Sequence, residues 1–418
     1  MRVLILGAGP AGLTTAQELR ALEGRAGVQL DIMLVSGEPF PPYSPPAMAD
    51  HFTTGNEASL YWQGTDVCER LGVDYRCGVQ VVSVDPQTHS VALADGSQLD
   101  YDRLVIATGS RLYAPVPGYD LPGVYNFKSL TAARDLVDHA GKGEVENALI
   151  VGAGFIGVEV ALMLRSLSLG VAMVEQRGWV MPNVLDQETA GLVLAELQAR
   201  GVEVRLNTEV RRFVGEDHAC GVETAAGDKQ TADAYLAATG VKPTVDYLDG
   251  SGLEIDWGVL VDRRLRTNLP NIWAAGDVAE TWDRQSGQRF VHAIWPNARA
   301  QGQVVARDML GFAADYEGAE RMNSMKHLGL PIMAVGEMEG EAELRWRRGD
   351  QLRKIFLTDG RIVGFRLAGD IRGAGAYRAL MLRGTDVSDI GEDLLDPRFC
   401  LAGIAALAAA PPEAPIAA

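Results

Sequence analysis

The chain opens on a short, unbroken hydrophobic block, Val3-Leu4-Ile5-Leu6, that stops at Gly7-Ala8-Gly9-Pro10-Ala11-Gly12. A run of this length bounded by glycines suits a strand buried on both faces of a parallel sheet, so Arg2–Leu6 reads as a buried strand. The segment Ala11–Leu22 that follows has the composition of a helix. The same succession returns further along. Ala148–Val151 is a short apolar strand, Gly152-Ala153-Gly154-Phe155-Ile156-Gly157-Val158-Glu159 follows it, and an apolar helix runs on to about Ser168. Next, Gly170–Glu175 reads as a strand ending in a carboxylate. Towards the C-terminus, Gln351–Leu357, the turn Thr358-Asp359-Gly360 and Arg361–Leu367 form a strong hairpin signal. Two strand–turn–helix units followed by a hairpin predict an α/β chain.

The glycine spacing in both units is G-x-G-x-x-G. The first glycine permits the tight turn, the second lets the backbone approach a pyrophosphate, and the third lets helix pack on strand. The helix N-terminus then offers unpaired N–H groups and a positive dipole end to phosphate. Glu175 lies where an acid accepts hydrogen bonds from a ribose 2′-OH and repels a 2′-phosphate, so NAD is expected ahead of NADP. A solvated charge at a strand end is the alternative for Glu175, and Arg177 nearby could instead favour the phosphate. Two fingerprints imply two dinucleotides. A flavin paired with a nicotinamide is the obvious chemical use, with a hydride passing between rings stacked in a dry crevice.

Composition narrows the partners. The 418 residues allow two or three domains, and 47% hydrophobic with 22% charged residues excludes disorder as the main state. The formal net charge of −17 repels phosphate backbones and anionic lipid, which argues against nucleic acid and membrane surfaces. No apolar run is long enough to span a membrane, and the opening block is cut short at Gly7, so a cytoplasmic protein is expected. Cys68, Cys77, Cys220 and Cys400 form no Cys-x-x-Cys pair and no metal-ligand spacing. Neither a metal site nor a disulfide scaffold is expected.

Further motifs occur in a telling order: Leu104-Val105-Ile106-Ala107-Thr108-Gly109, Ala237-Ala238-Thr239-Gly240-Val241-Lys242-Pro243, and Asn271-Ile272-Trp273-Ala274-Ala275-Gly276-Asp277-Val278. With the two fingerprints they make a chain that resembles the pyridine nucleotide–disulfide oxidoreductase superfamily over roughly residues 1–310. The resemblance implies two Rossmann-like, three-layer ββα domains, the NAD domain (117–241) inserted in a discontinuous FAD domain (1–116 and 242–318). A small α+β C-terminal domain (319–400) and an Ala/Pro-rich tail (401–418), mobile or a docking strip, would follow. FAD would be held by Gly7, Gly9, Pro10, Ala11, Gly12, Ala107, Thr108, Gly109 and Asp277. Glu38, after the strand Leu30–Val35, is the candidate for its adenosine ribose. NAD would be held by Gly152, Gly154, Phe155, Ile156, Gly157, Glu175 and Gly240. A surface-turn acid is the alternative for Glu38, and a helix N-cap is the alternative for Asp277.

The branch is set by what is missing. The superfamily's disulfide reductases and single-cysteine peroxidases keep a thiol in the region that reads here Pro39 to Phe52 and holds no cysteine. Cys68 lies beyond it and is expected to pack as a small apolar residue. Pro42-Tyr43-Ser44-Pro45-Pro46 and His292-Ala293-Ile294-Trp295-Pro296-Asn297-Ala298-Arg299-Ala300-Gln301-Gly302 resemble the cysteine-free, ferredoxin-reductase-like branch, with Glu159 and Trp295 in the flavin environment. Packing at a domain interface is the bland alternative for Trp295. That branch usually has a Lys that pairs with the acid at Glu159. Asp50 stands at its place here, where two carboxylates would repel unless one is protonated, and His51 is a possible substitute cation.

Leu367–Gly375 resembles the C-terminal domain of NADH-linked flavin subunits in complexes such as phenylglyoxylate dehydrogenase and tungsten aldehyde oxidoreductase. The expectation is therefore an FAD-dependent NAD(H) oxidoreductase exchanging electrons with an iron–sulfur subunit or ferredoxin, as an oligomer or part of a hetero-complex. A free-standing NADH oxidase or diaphorase using oxygen or quinone is the second reading. A non-catalytic flavoprotein redox sensor is the third, and the intact second fingerprint speaks against it.

Overall fold

The computed structural model describes residues 1–326 and 328–399. Cys400 and the tail over 401–418, expected to be mobile or a docking strip, lie outside the described residues. The opening hydrophobic block becomes the central strand, Arg2–Leu6, of a five-stranded sheet. Its order is Ile272–Ala274, Arg103–Ile106, Arg2–Leu6, Asp31–Val35, Asp74–Arg76, and every pairing is parallel. Val3, Leu4, Ile5 and Leu6 are buried, as an interior parallel strand covered on both faces requires. The helix Pro10–Ala26 begins directly after the turn, lays Leu13, Ala16, Leu19 and Leu22 on the sheet, and ends on the left-handed Gly27.

A second sheet repeats this plan. Its order is Val202–Arg205, Gly170–Val174, Asn147–Val151, Ala234–Ala237, Val124–Tyr125, again parallel throughout. The helix Phe155–Ser166 follows its central strand, matching the helix after the first fingerprint. Each parallel sheet is accompanied by a three-stranded antiparallel meander, residues 81–100 beside the first and 210–230 beside the second. All strands of the second unit fall in sequence between Arg103–Ile106 and Ile272–Ala274, which are neighbours in the first sheet. The chain leaves and re-enters through paired segments, Ser110–Leu112 antiparallel to Val241–Pro243.

The expected hairpin forms, each strand one residue longer than anticipated: Gln351–Thr358 and Arg361–Ala368. Asp359 and Gly360 both have positive φ (49° and 68°), the backbone that a two-residue turn needs to match the twist of its strands. This hairpin lies in a five-stranded antiparallel sheet with Met322–Met325, Ile332–Gly336 and Ala342–Arg348. The sheet packs on the second unit. Leu328, Leu330 and Leu352 share one apolar cluster with Leu192, Val193 and Leu197 of the helix Gln187–Ala199. Lys354, almost fully buried, locks that contact by reaching Asp186 (2.9 Å), Glu343 (3.2 Å) and Glu188 (3.6 Å). Among the described residues no helix is long and apolar enough to cross a membrane.

Lys354→Ala leaves Asp186 without its cation, while Glu188 keeps Arg345 and Arg347. Because the partial exposure of Asp186 softens the cost, a loss of about 2–3 kcal/mol is expected from equilibrium denaturation of the full chain.

Candidate functional site

Both fingerprint turns are built the same way. Gly7 has φ of 109° and donates its N–H to Val35 O (2.7 Å); Gly152 has φ of 103° and donates to Val174 O (2.8 Å). A Cβ at Gly7 would lie 2.1 Å from Ala107 O, and one at Gly152 would lie 2.5 Å from Ala238 O. Neither position can carry a side chain. At Gly12 and Gly157 a Cβ would strike the carbonyl of the first glycine of the same turn, at 1.9 and 2.2 Å. Gly9 and Gly154 have nothing within 4 Å of the Cβ position, so the open side of each turn is free for a ligand. These two residues are also the N-caps of the following helices, and neither helix start has a side-chain cap. The first-turn N–H groups and the positive dipole end are left for an anion.

The first turn opens into a cavity of about 1040 Å³, at the upper end of the range for ligand sites. Its walls include Gly7–Ala11, Glu38, Ala107–Gly109, Gly276–Asp277 and Trp295, so the residues assigned to FAD other than Gly12 line one space. Several hydrogen bonds explain why this chain folds that way. Gln301 accepts the N–H of Gly276 (2.6 Å) and so holds the turn that presents Asp277. Asn297, one turn earlier in the helix Trp295–Met309, donates to Glu320 O and accepts from Glu320 N. At Gly302 a Cβ would lie 2.5 Å from Ala11 O, which lets this helix pack hard against the first fingerprint helix. Asp277 accepts from Ser110 Oγ (2.7 Å) and pairs with Lys128 Nζ (3.0 Å). Glu38 accepts from the Tyr43 hydroxyl (2.5 Å) and from both the N–H and hydroxyl of Thr131 (3.0 and 2.9 Å). Burial, and then the Glu38 charge, raise the Tyr43 phenol well above its usual range and keep it a donor.

The cavity fits FAD on its own terms. Gly9 offers backbone with no side chain in the way, and the Lys128–Asp277 pair and the Trp295 ring line the same space.

At the second turn Glu175 is buried, and its two oxygens accept the N–H groups of Ala153 and Arg177 (2.9 Å each). The acid expected to read a ribose therefore also braces the turn that cradles the phosphates. Glu159, four residues into the following helix, has no hydrogen bond or ion pair among the described residues. Burial pushes its carboxyl up to about 8. Asp50, which stands where the branch has a Lys, accepts a hydrogen bond from Ser59 (3.1 Å). His51 does not replace the missing cation either: its ring lies against Phe52 and its Nδ1 is buried without a partner. Cys68 is buried as expected, its thiol pushed up to about 11 by that burial. No group of three or more metal-ligating side chains exists among the described residues.

Lys128, Ser110 and Thr131 were not singled out by the sequence, and Tyr43 was noted only as part of a motif. Lys128 and Thr131 flank Ser129, the N-cap of the helix Leu130–Gly141, and locally they read as an ordinary helix start.

A sequence profile described as pyridine nucleotide-disulphide oxidoreductase matches residues 1–302. The chain is similar to the NADH-dependent phenylglyoxylate dehydrogenase subunit epsilon of Aromatoleum evansii, 29% identical over 402 residues that cover 93% of each chain. It is also similar to the benzene 1,2-dioxygenase system ferredoxin–NAD(+) reductase subunit of Pseudomonas putida, 34% identical over 368 residues. That match covers 86% of this chain and 87% of the relative. Among solved structures, the covalent putidaredoxin reductase–putidaredoxin complex superposes with a TM-score of 0.85 at 22% identity, over 98% of this chain and 99% of the other. At that identity the likeness establishes the fold.

Asp277→Ala and Lys128→Ala are each expected to lower the flavin content of the purified protein, measured by absorbance after gel filtration, Asp277→Ala the more strongly. Glu159 yields a pH signature. Between the ordinary value of 4.5 and about 8 the folded chain keeps a proton that the unfolded chain releases, so stability falls as pH rises through that window. In Glu159→Gln this part of the slope of Tm against pH is expected to vanish.

Proposed function

The chain belongs to the pyridine nucleotide-disulphide oxidoreductase family, and from that premise we propose that it binds FAD and NAD(H) and moves electrons between NAD(H) and an iron–sulfur protein. The observation that carries this reading is the duplicated fingerprint turn, each copy open at its middle glycine and backed by an uncapped helix, with no cysteine on the cavity wall between Pro39 and Phe52. The names of the relatives, a ferredoxin–NAD(+) reductase subunit and a subunit of an NADH-dependent dehydrogenase, support the same partner class.

In this reading Gly7–Gly12, Ala107–Gly109 and Asp277 hold FAD, with Lys128 spanning from the second unit to Asp277. Gly152–Gly157, Glu175 and Gly240 hold NAD(H). Bound FAD supplies a ring that takes up two electrons as a hydride and releases them singly. The protein's own part is to orient and to shield. The Phe40–Pro46 wall shields the space, burial pushes the Glu159 carboxyl up to about 8 and so lowers its negative charge near neutral pH, and Trp295 adds an indole to the wall. Residues 1–116 with 242–318, 117–241 and 319–400 then act as FAD, NAD and partner-facing units, an assignment supported by the separate sheets. Assembly into an oligomer or a larger complex belongs to the same proposal.

Steady-state reduction of ferricyanide tests it. NADH is expected to exceed NADPH in kcat/KM by about tenfold or more, equivalent to about 1.4 kcal/mol, because Glu175 opposes a 2′-phosphate. Thiol-blocking reagents are expected to leave the activity intact. Loss of activity on blocking Cys77 without loss of FAD contradicts the thiol-free route, and turnover on oxygen alone at the ferricyanide rate favours an oxidase.

A further inference from the structure

The helix Leu130–Gly141 packs with the second unit, where Leu130, Ala133 and Leu136 share an apolar cluster with Ala148 and Ile150 of its sheet. Its N-terminus is fastened to the first unit. The Tyr43 hydroxyl accepts the N–H of Leu130 (3.1 Å), and Glu38 Oε1 accepts both the N–H and the hydroxyl of Thr131 (3.0 and 2.9 Å). The next N–H, of Ala132, goes to the helix's own cap, Ser129 (3.3 Å). One turn on, the Arg134 guanidinium stands 4.4 Å from the centroid of the Phe40 ring, and just before the helix Lys128 reaches Asp277 (3.0 Å). A carboxylate suits that end of a helix, whose first N–H groups have no partner within the helix. Glu38, Phe40, Tyr43 and Asp277 of the first unit line the same cavity as Lys128 and Thr131 of the second, so these contacts run from one wall to the other. A carboxylate offers about four acceptor positions. Thr131 takes two of those on Glu38 and Tyr43 takes one, so most of the acid's capacity is committed to joining the units.

We propose that the start of this helix is a latch across the FAD cavity, with Thr131 and Arg134 as its positioning residues. Flavin then enters and leaves only when the second unit lifts from Glu38, Tyr43 and Phe40. This rests on the FAD binding proposed above and adds how the site exchanges its cofactor. Glu38 is on this account first a cap for a helix of the other unit, and only its last free acceptor position serves a ribose. The bonds of Thr131 lie at the exposed rim, so removing one shifts the opening equilibrium by a small factor and does not abolish closure. Every latch bond joins protein to protein, so the bonds are the same with the cavity filled or empty. Weakening them raises the entry and exit rates together and leaves affinity unchanged. A residue that merely touches flavin behaves differently, because its loss speeds exit alone and weakens affinity by the same factor. Arg134 separates the two roles cleanly, since it stands outside the cavity wall.

The test uses full-length flavin-loaded protein: wild type, Thr131→Val, Thr131→Ser and Arg134→Gln. Exchange of bound FAD against an excess of radiolabelled FAD gives the exit rate, and the bound fraction on serial dilution gives the Kd. Exchange is expected to be about fivefold faster in Thr131→Val and about threefold faster in Arg134→Gln, with Kd within about twofold of wild type in both. Thr131→Ser, which keeps the hydroxyl, is expected to return to the wild-type rate. Wild-type exchange rates in both Thr131→Val and Arg134→Gln overturn the latch alone. Faster exchange with Kd weakened by the same factor also overturns it, and makes Thr131 a flavin contact. Wild-type protein that takes up no FAD overturns the proposed function and the latch with it.

Discussion

Two close approaches of backbone to backbone decide this structure. At Gly7 and at Gly152 the chain crosses the end of a neighbouring strand so tightly that no Cβ fits against Ala107 O or Ala238 O. Both residues are held in the left-handed half of backbone space, where a side chain would add strain to collision. The crossing turns the following helix so that its uncapped N-terminus faces open space beside the middle glycine. Everything that makes a dinucleotide site lies downstream of that constraint: free N–H groups, a positive dipole end and room for phosphate.

Other contacts shape the cavity at the first turn and join the units around it. Gln301 holds the backbone that presents Asp277, Asn297 grips the chain entering the C-terminal sheet, and Lys128 crosses from the second unit to Asp277. Lys354 fastens the C-terminal sheet to the start of the helix Gln187–Ala199. Each polar link joins segments far apart in sequence, and each lies at or near a seam between sheets. The polar links add specificity to seams that are also apolar, since one cluster joins Leu328, Leu330 and Leu352 to Leu192, Val193 and Leu197.

Much of this was legible in the chain, because the decisive chemistry is local. The glycine spacing, the short apolar strands and the Asp359–Gly360 turn each specify a backbone shape within a few residues. Asp277 was found through its surrounding motif, yet its partner Lys128 was not, since nothing near Lys128 distinguishes it from a helix-start lysine. Glu175 was read as a ribose acceptor; that it also braces its own turn follows only from the fold bringing Ala153 to it. Asp50 and Glu159 were expected to repel unless one is protonated; burial raises Glu159, while Asp50 accepts a hydrogen bond from Ser59, and neither effect is visible in the local sequence. Long-range pairs of ordinary residues carry no local signature, and Lys128 with Asp277 is the clearest case.

The central claim is that this chain converts a two-electron donor into single electrons for an iron–sulfur protein. Anaerobic titration of flavin-loaded protein and excess oxidised [2Fe–2S] ferredoxin with NADH tests it most directly, following the ferredoxin spectrum. The account predicts about two ferredoxins reduced for each NADH consumed, with no oxygen required. Ferredoxin that stays oxidised while NADH disappears only on admitting oxygen would contradict it.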